Sequence, residues 1–120
     1  MADYLPLYKP GQSITSRTSA AVTGGQLLEV SGDGTVAPAG ADSAKVVGVA
    51  AFDAASGDNV TIHCGGVQRL KASGAVTAGD LVVSGASGTV ATSATPAVGH
   101  LVGTALSTAA DGELVETKMA

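Results

Sequence analysis

The chain contains two copies of one sequence pattern. Residues 21–37 (AVTGGQLLEVSGDGTVA) align with residues 75–91 (AVTAGDLVVSGASGTVA) at an offset of 54, and nine of the 17 positions are identical. After one inserted residue the correspondence continues at an offset of 55. One supersecondary unit of this length cannot bury its apolar face alone. We therefore expect a single domain made of two repeats, about 21–73 and 75–120, that form a pseudo-twofold body and complete each other's core.

Each repeat has the pattern of short strands. Runs of Val, Leu and Ile are separated by Gly, Asp and Ser, as in sandwiches and barrels. In residues 59–64 the side chains of Val60, Ile62 and Cys64 alternate with polar ones, which predicts a strand with one buried face. The sequence thus predicts an all-β fold over residues 20–120, a small sandwich or barrel of the β-clip or β-tulip kind.

The first 19 residues differ from the rest. Pro6 and Pro10 favour extended geometry in a segment that holds two of the three aromatic residues. We expect residues 1–19 to form an extended N-terminal arm in front of the β domain.

The charge distribution argues against nucleic-acid binding. Residues 1–19 carry a net charge of +1 and residues 20–120 a net charge of −5, which together give the −4 of the whole chain. An acidic body repels phosphate. The longest apolar run, residues 46–52, is too short to cross a bilayer, and the first residues lack the pattern of a signal peptide. We expect a soluble protein that is made in a cytoplasm and has neither a nucleic-acid nor a membrane partner.

The sequence offers no catalytic, metal-binding or cofactor-binding motif. Gly32-Asp33-Gly34 resembles part of a dinucleotide fingerprint, but Pro38 follows where a helix would have to begin. No glycine is followed by a lysine, so a phosphate loop is excluded. His63 and Cys64 are neighbours on a predicted strand and point to opposite faces, which argues against a zinc site. We predict a protein that is not an enzyme and uses no cofactor.

The core must be thin, because the chain has no Trp and only one Phe, and much of its apolar content is Ala. Small domains of this kind are close to marginal stability, and oligomerisation is one way to stabilise them. We therefore expect an oligomer.

Two segments resemble a known family. Residues 46–70 (VVGVAAFDAASGDNVTIHCGGVQRL) and 75–85 (AVTAGDLVVSG), behind a Pro-containing arm, are similar to the small capsid decoration (cement) proteins of tailed bacteriophages. The resemblance implies a β-barrel or clip fold that assembles as a homotrimer on the outer capsid surface of the virion. There it would bridge major capsid protein subunits and stabilise the head, without catalytic residues.

The resemblance also implies that the arm grips the capsid. The residues expected to bind the capsid are Tyr4, Leu5, Pro6, Leu7 and Tyr8. Two alternatives remain: another virion structural part, or an adhesin-like carbohydrate-binding β module. A lectin usually offers exposed aromatic platforms, whereas the body after the arm contains only Phe52.

Overall fold

A computed structural model describes residues 4–5, 7–8 and 11–120. In this part of the chain ten β-strands and one short 3-10 turn are present, and no α-helix. The strands of the first repeat are β1 (Ile14–Thr18), β2 (Leu27–Gly32), β3 (Thr35–Pro38), β4 (Val46–Ala50) and β5 (Asn59–His63). Those of the second repeat are β6 (Val67–Lys71), β7 (Leu81–Ser84), β8 (Val90–Thr92), β9 (Gly103–Ala105) and β10 (Leu114–Met119), with the 3-10 turn Ala86–Gly88 between β7 and β8.

The two repeats form two sheets with the same neighbour relations. The first five strands close into a barrel in the order β1-β3-β2-β4-β5, and the last five form a sheet in the order β6-β10-β9-β7-β8. In the barrel, β1 closes onto β3 through a parallel pairing that includes Thr18 and Val36. The equivalent residues of the second repeat, Ala72 and Val90, keep one isolated parallel bridge. The predicted all-β barrel class is therefore confirmed, and the second sheet is the same barrel left nearly open at one seam.

Strand registers repeat as well. Ser16 pairs with Val60 in the first repeat, and Leu70 pairs with Val115 at the equivalent positions. Likewise, Leu28 lies opposite Gly48, and Val82 lies opposite Gly103. The duplication thus extends from the sequence to backbone pairing.

The strand β1 lies within the range that the sequence assigns to the arm. It pairs with β5 as well as β3, so the barrel of the first repeat begins at Ile14. Its equivalent is β6, which lies in the second sheet although the sequence assigns residues 67–71 to the first repeat. The alignment misses this relation because the two strands share almost no residue identity. Residues 14–18 therefore belong to the barrel and not to an arm.

The alternation predicted for residues 59–64 is present. Val60 and Ile62 are fully buried, Cys64 is half-buried, and His63 is exposed. In β10, Val115 is buried in the same way.

Two apolar clusters form the core, and one of them is shared between the repeats. The cluster inside the barrel consists of Val22, Leu28, Val36, Ala50, Val60 and Ile62. The other cluster fills the second sheet, and the outward-facing Leu27, Ala39 and Val49 of the barrel join it. Leu27 is fully buried, whereas its equivalent Leu81 is 38% exposed. The first repeat therefore covers the core of the second, and the contact between them is asymmetric.

A loop after β3 fastens this contact. The amide of Asp42 donates a 2.8 Å hydrogen bond to the Ser84 carbonyl, and the Ser84 hydroxyl donates one of 2.7 Å to the carbonyl of Gly40. The amide of Ser43 donates to the same hydroxyl at 2.8 Å. Asp42 also contacts Nδ1 of His100 at 2.9 Å. Ser84 is buried, so water cannot take over these hydrogen bonds if they break. They therefore stabilise the contact between the repeats.

Candidate binding surface

The N-terminal segment exposes large apolar side chains in succession. Tyr4 is 86% exposed, Leu5 83%, Leu7 93% and Tyr8 47%. Pro6, the fifth predicted capsid-binding residue, lies outside the described residues. Single exposed apolar residues are normal on a protein surface, but a contiguous group is typical of an interaction site.

The barrel positions the base of this segment. Ser13, just before β1, has its hydroxyl 3.1 Å from Nδ1 of His63 at the end of β5. The strand that follows is held on both sides, by β3 and by β5. The predicted binding residues thus lie ahead of a strand that is paired on both sides.

Two further exposed apolar residues lie at opposite ends of the β6–β10 pairing, and sequence reasoning did not find them. Val67 is 55% exposed and Leu114 63%. Their equivalents in the first repeat are the polar residues Ser13 and Asn59. Both residues could have been found by aligning the two repeats and searching for outward positions that are polar in the first repeat and apolar in the second.

Next to Leu114 a cavity of about 400 Å³ opens between the repeats. One wall is the loop Thr23–Gln26 of the first repeat, and another is Ser87–Thr89 of the second. The floor is the outer face of β6 and β10, with Arg69, Lys71 and Leu114. This cavity exists only where one repeat packs on the other.

Neither a metal-binding cluster nor a membrane-spanning helix is found in the described part of the chain. No group of three or more His, Cys, Asp or Glu side chains lies close enough to hold a metal ion there. No helix in these ranges is long and apolar enough to span a membrane.

Among the described residues, Glu29 has a shifted pKa, and the cause is structural. The pKa of Glu29 is lowered, chiefly because its carboxylate accepts a hydrogen bond from the Gly40 amide, with a further contribution from Ser43. Burial opposes this effect, and Lys45 adds a small favourable charge. The carboxylate therefore stabilises the loop that joins the two repeats.

Comparison with known proteins identifies the family. A family model described as phage cement protein matches residues 8–119. The chain belongs to the phage cement protein family. The family resemblance seen in the sequence is thereby confirmed, and with it the coarser prediction of a structural component of a phage virion.

A solved structure shares the fold of this cement protein. The crystal structure of the head fiber gp8.5 N base in bacteriophage phi29 matches with a TM-score of 0.74 and 23% sequence identity, over 91% of this chain and 93% of that chain. Curated proteins give no match. At this level of identity the phi29 protein supports the fold, and the family match supports the virion role.

Proposed function

We propose that this cement protein binds the outer surface of a phage head and stabilises it by bridging neighbouring major capsid protein subunits. The observation that carries the proposal is the exposed apolar run at Tyr4, Leu5, Leu7 and Tyr8 in a member of a cement protein family. Such a run costs solubility unless a partner covers it. The capsid-binding residues are those four and Pro6.

The binding energy of one such segment is modest. Burying each large apolar side chain contributes about 1.5–3 kcal/mol, and this is opposed by the entropy of ordering the segment, about 1–2 kcal/mol per residue. We propose that the protein acts as a homotrimer on the head. Linking three segments makes the second and third contacts intramolecular and raises avidity by roughly 10²–10⁴.

Co-sedimentation with undecorated phage heads tests the proposal. The variant Tyr4→Ser, Leu5→Ser, Leu7→Ser and Tyr8→Ser should pellet with heads at least about tenfold less well than the unaltered protein, because each substitution removes apolar burial. The matched control is Val98→Ser, since this valine is fully exposed on the body. The control should bind normally.

Stability and mass complete the experiment. Both variants should keep the melting temperature of the unaltered protein, because the substituted side chains are exposed. Sedimentation velocity should give three times the 11.5 kDa chain mass for the head-bound form released under mild conditions. Normal pelleting of the fourfold variant would contradict the role of the segment. Failure of the unaltered protein to pellet with heads would contradict head binding itself.

A further inference from the structure

The outer face of β6 and β10 combines two cations with exposed apolar surface. Arg69 and Lys71 lie two residues apart on β6 and point outward together, while Leu70 between them is buried. Leu114 pairs directly with Lys71 across the two strands. We call the floor formed by Arg69, Lys71 and Leu114, together with the cavity above it, the junction site.

Neither cation of the junction site is neutralised within the described residues. Arg69 and Lys71 make no ion pair or side-chain hydrogen bond there, although Glu116 lies opposite Arg69 in the strand register. Thr23 and Ser87 line the same cavity, and their hydroxyls have no hydrogen-bond partner in that part of the chain. The cavity therefore presents two positive charges and two free hydroxyl groups in a body that is otherwise acidic.

The duplication supplies an internal comparison. Arg69 replaces Thr15 of the first repeat, and Leu114 replaces Asn59. These changes are not needed for folding, because the side chains of Arg69 and Leu114 are exposed and the strand registers are the same in both repeats. The differences lie where the second repeat faces the cavity.

The walls of the cavity are held in place. Nε2 of Gln26 donates a 3.1 Å hydrogen bond to the carbonyl of Ser87, which ties the first-repeat loop to the 3-10 turn. The buried Gly88 donates its amide to the Ala39 carbonyl at 2.8 Å. A ligand entering the cavity thus meets a formed site and not a loop that must first be ordered, which lowers the entropic cost of binding.

We propose that the junction site binds a carboxylate side chain of an acidic peptide segment with neighbouring apolar residues. The guanidinium of Arg69 matches a carboxylate in a bidentate arrangement, and Lys71 adds a second charge-assisted contact. An apolar residue next to the carboxylate in the peptide can pack against the exposed side chain of Leu114. The binding chemistry follows from the site alone. The further statement that the segment belongs to the capsid protein rests on the proposed function.

Charge favours a peptide over a nucleic acid. A polynucleotide extends its charge well beyond a cavity of about 400 Å³ and would meet the carboxylates around it. Glu116 lies next to Arg69 across the strands, and Asp53 accepts the Gly24 amide at 2.8 Å at the opposite wall. A short acidic peptide brings fewer negative charges to these carboxylates than a polynucleotide does.

Fluorescence anisotropy tests the site with a labelled hexapeptide of alternating Glu and Leu. The full chain should bind it at about 0.15 M salt, and Arg69→Gln with Lys71→Gln should weaken binding by about tenfold or more. The matched control is Arg17→Gln with Lys45→Gln, which removes the same charge from the first repeat. The control should change binding by less than about twofold, since long-range attraction is screened. Both double variants should have the melting temperature of the unaltered protein.

Further probes separate the occupants. A hexapeptide with Gln in place of Glu should bind at least about tenfold more weakly, and equal binding would overturn carboxylate recognition. Equal losses in both double variants would reduce the effect to net charge and overturn the site. Tighter, Arg69-dependent binding of an oligothymidylate would overturn the peptide assignment in favour of a nucleic acid.

Head binding distinguishes the site from the proposed function. If the protein pellets with heads but the Glu-Leu peptide does not bind, the junction site is wrong and the proposed function stands. If the peptide binds through Arg69 and Lys71 but the protein does not pellet with heads, the junction site stands and the proposed function fails. If both hold, Arg69→Gln with Lys71→Gln should also reduce pelleting with heads, and unchanged pelleting would exclude the capsid as the source of the segment.

Discussion

At two equivalent positions the backbones approach too closely for a side chain. A Cβ added at Gly48 would collide with the carbonyl oxygen of His63, and one added at Gly103 would collide with that of Lys118. Both collisions are with backbone, which cannot move without breaking the β4–β5 or β9–β10 pairing. These glycines therefore serve packing, as their presence in both repeats indicates.

Alanine at either position should lower the stability of the fold. We expect Gly48→Ala and Gly103→Ala each to cost about 1–3 kcal/mol or more, because overpacking displaces the strands. This corresponds to a loss of roughly 4–12 °C in melting temperature. The matched control is Gly40→Ala, since a Cβ there meets only the Glu29 carboxylate at 3.9 Å. A thermal melt by circular dichroism measures all three, and an unchanged melting temperature for Gly103→Ala would contradict the packing role.

The buried hydroxyl of Ser84 should contribute to the stability of the fold through its two hydrogen bonds. Its loss in Ser84→Ala leaves the Gly40 carbonyl and the Ser43 amide without this partner, at a cost of about 1–3 kcal/mol. Urea denaturation measures the effect, and Ser93→Ala serves as the control because no hydrogen bond of its hydroxyl is present in the described part of the chain. Equal midpoints for the two variants would mean that the loop is not fastened through Ser84.

At the scale of elements, the loop after β3 gives the fold a dependence on acidic pH. The pKa of Glu29 is lowered in the folded state, so its contribution is present above the unfolded pKa of about 4.3 and is lost as the pH falls through the lower folded value. We expect the melting temperature to fall between about pH 5 and pH 3, and Glu29→Gln to reduce that fall. Glu116→Gln is the control, because its carboxylate accepts no hydrogen bond in the described residues. An unaltered pH profile for Glu29→Gln would contradict this account.

The sequence reveals strands where residue identity or alternation survives, and misses them where neither does. The alternation in β5 predicts its buried face, and the identities between residues 21–37 and 75–91 predict the paired hairpins. The strand β1 escapes detection because Thr15 and Ser16 give no apolar alternation and do not match Arg69 and Leu70. For this reason the sequence predicts an arm of 19 residues, whereas β1 already begins at Ile14.

The junction site was beyond sequence reasoning for a different reason. The site depends on which face of one repeat packs against the other. The strand order within each repeat is the same and does not determine this packing. Leu27 and Leu81 are the same residue at equivalent positions, yet only Leu27 is buried. The difference arises from tertiary packing alone.

At the scale of the whole molecule, the repeats are unequal partners. The barrel closes on itself around its own cluster, while the second sheet relies on Leu27, Ala39 and Val49 to cover its core. Residues 65–120 expressed alone should therefore lack cooperative thermal unfolding and show a narrow amide proton spectrum, because a unit of this size is marginal even with a complete core. Cooperative unfolding of this fragment at the melting temperature of the full chain would mean that the repeats fold independently.

The central claim is that this cement protein occupies the outside of a phage head through its N-terminal segment. The most direct test is a cryo-electron microscopy reconstruction of heads that lack this protein, with and without the purified chain added. We predict added density on the outer surface at positions where capsid subunits meet, with the segment around Tyr4 to Tyr8 against the capsid protein. Heads without added density, or density in which this segment points away from the capsid, would contradict the account.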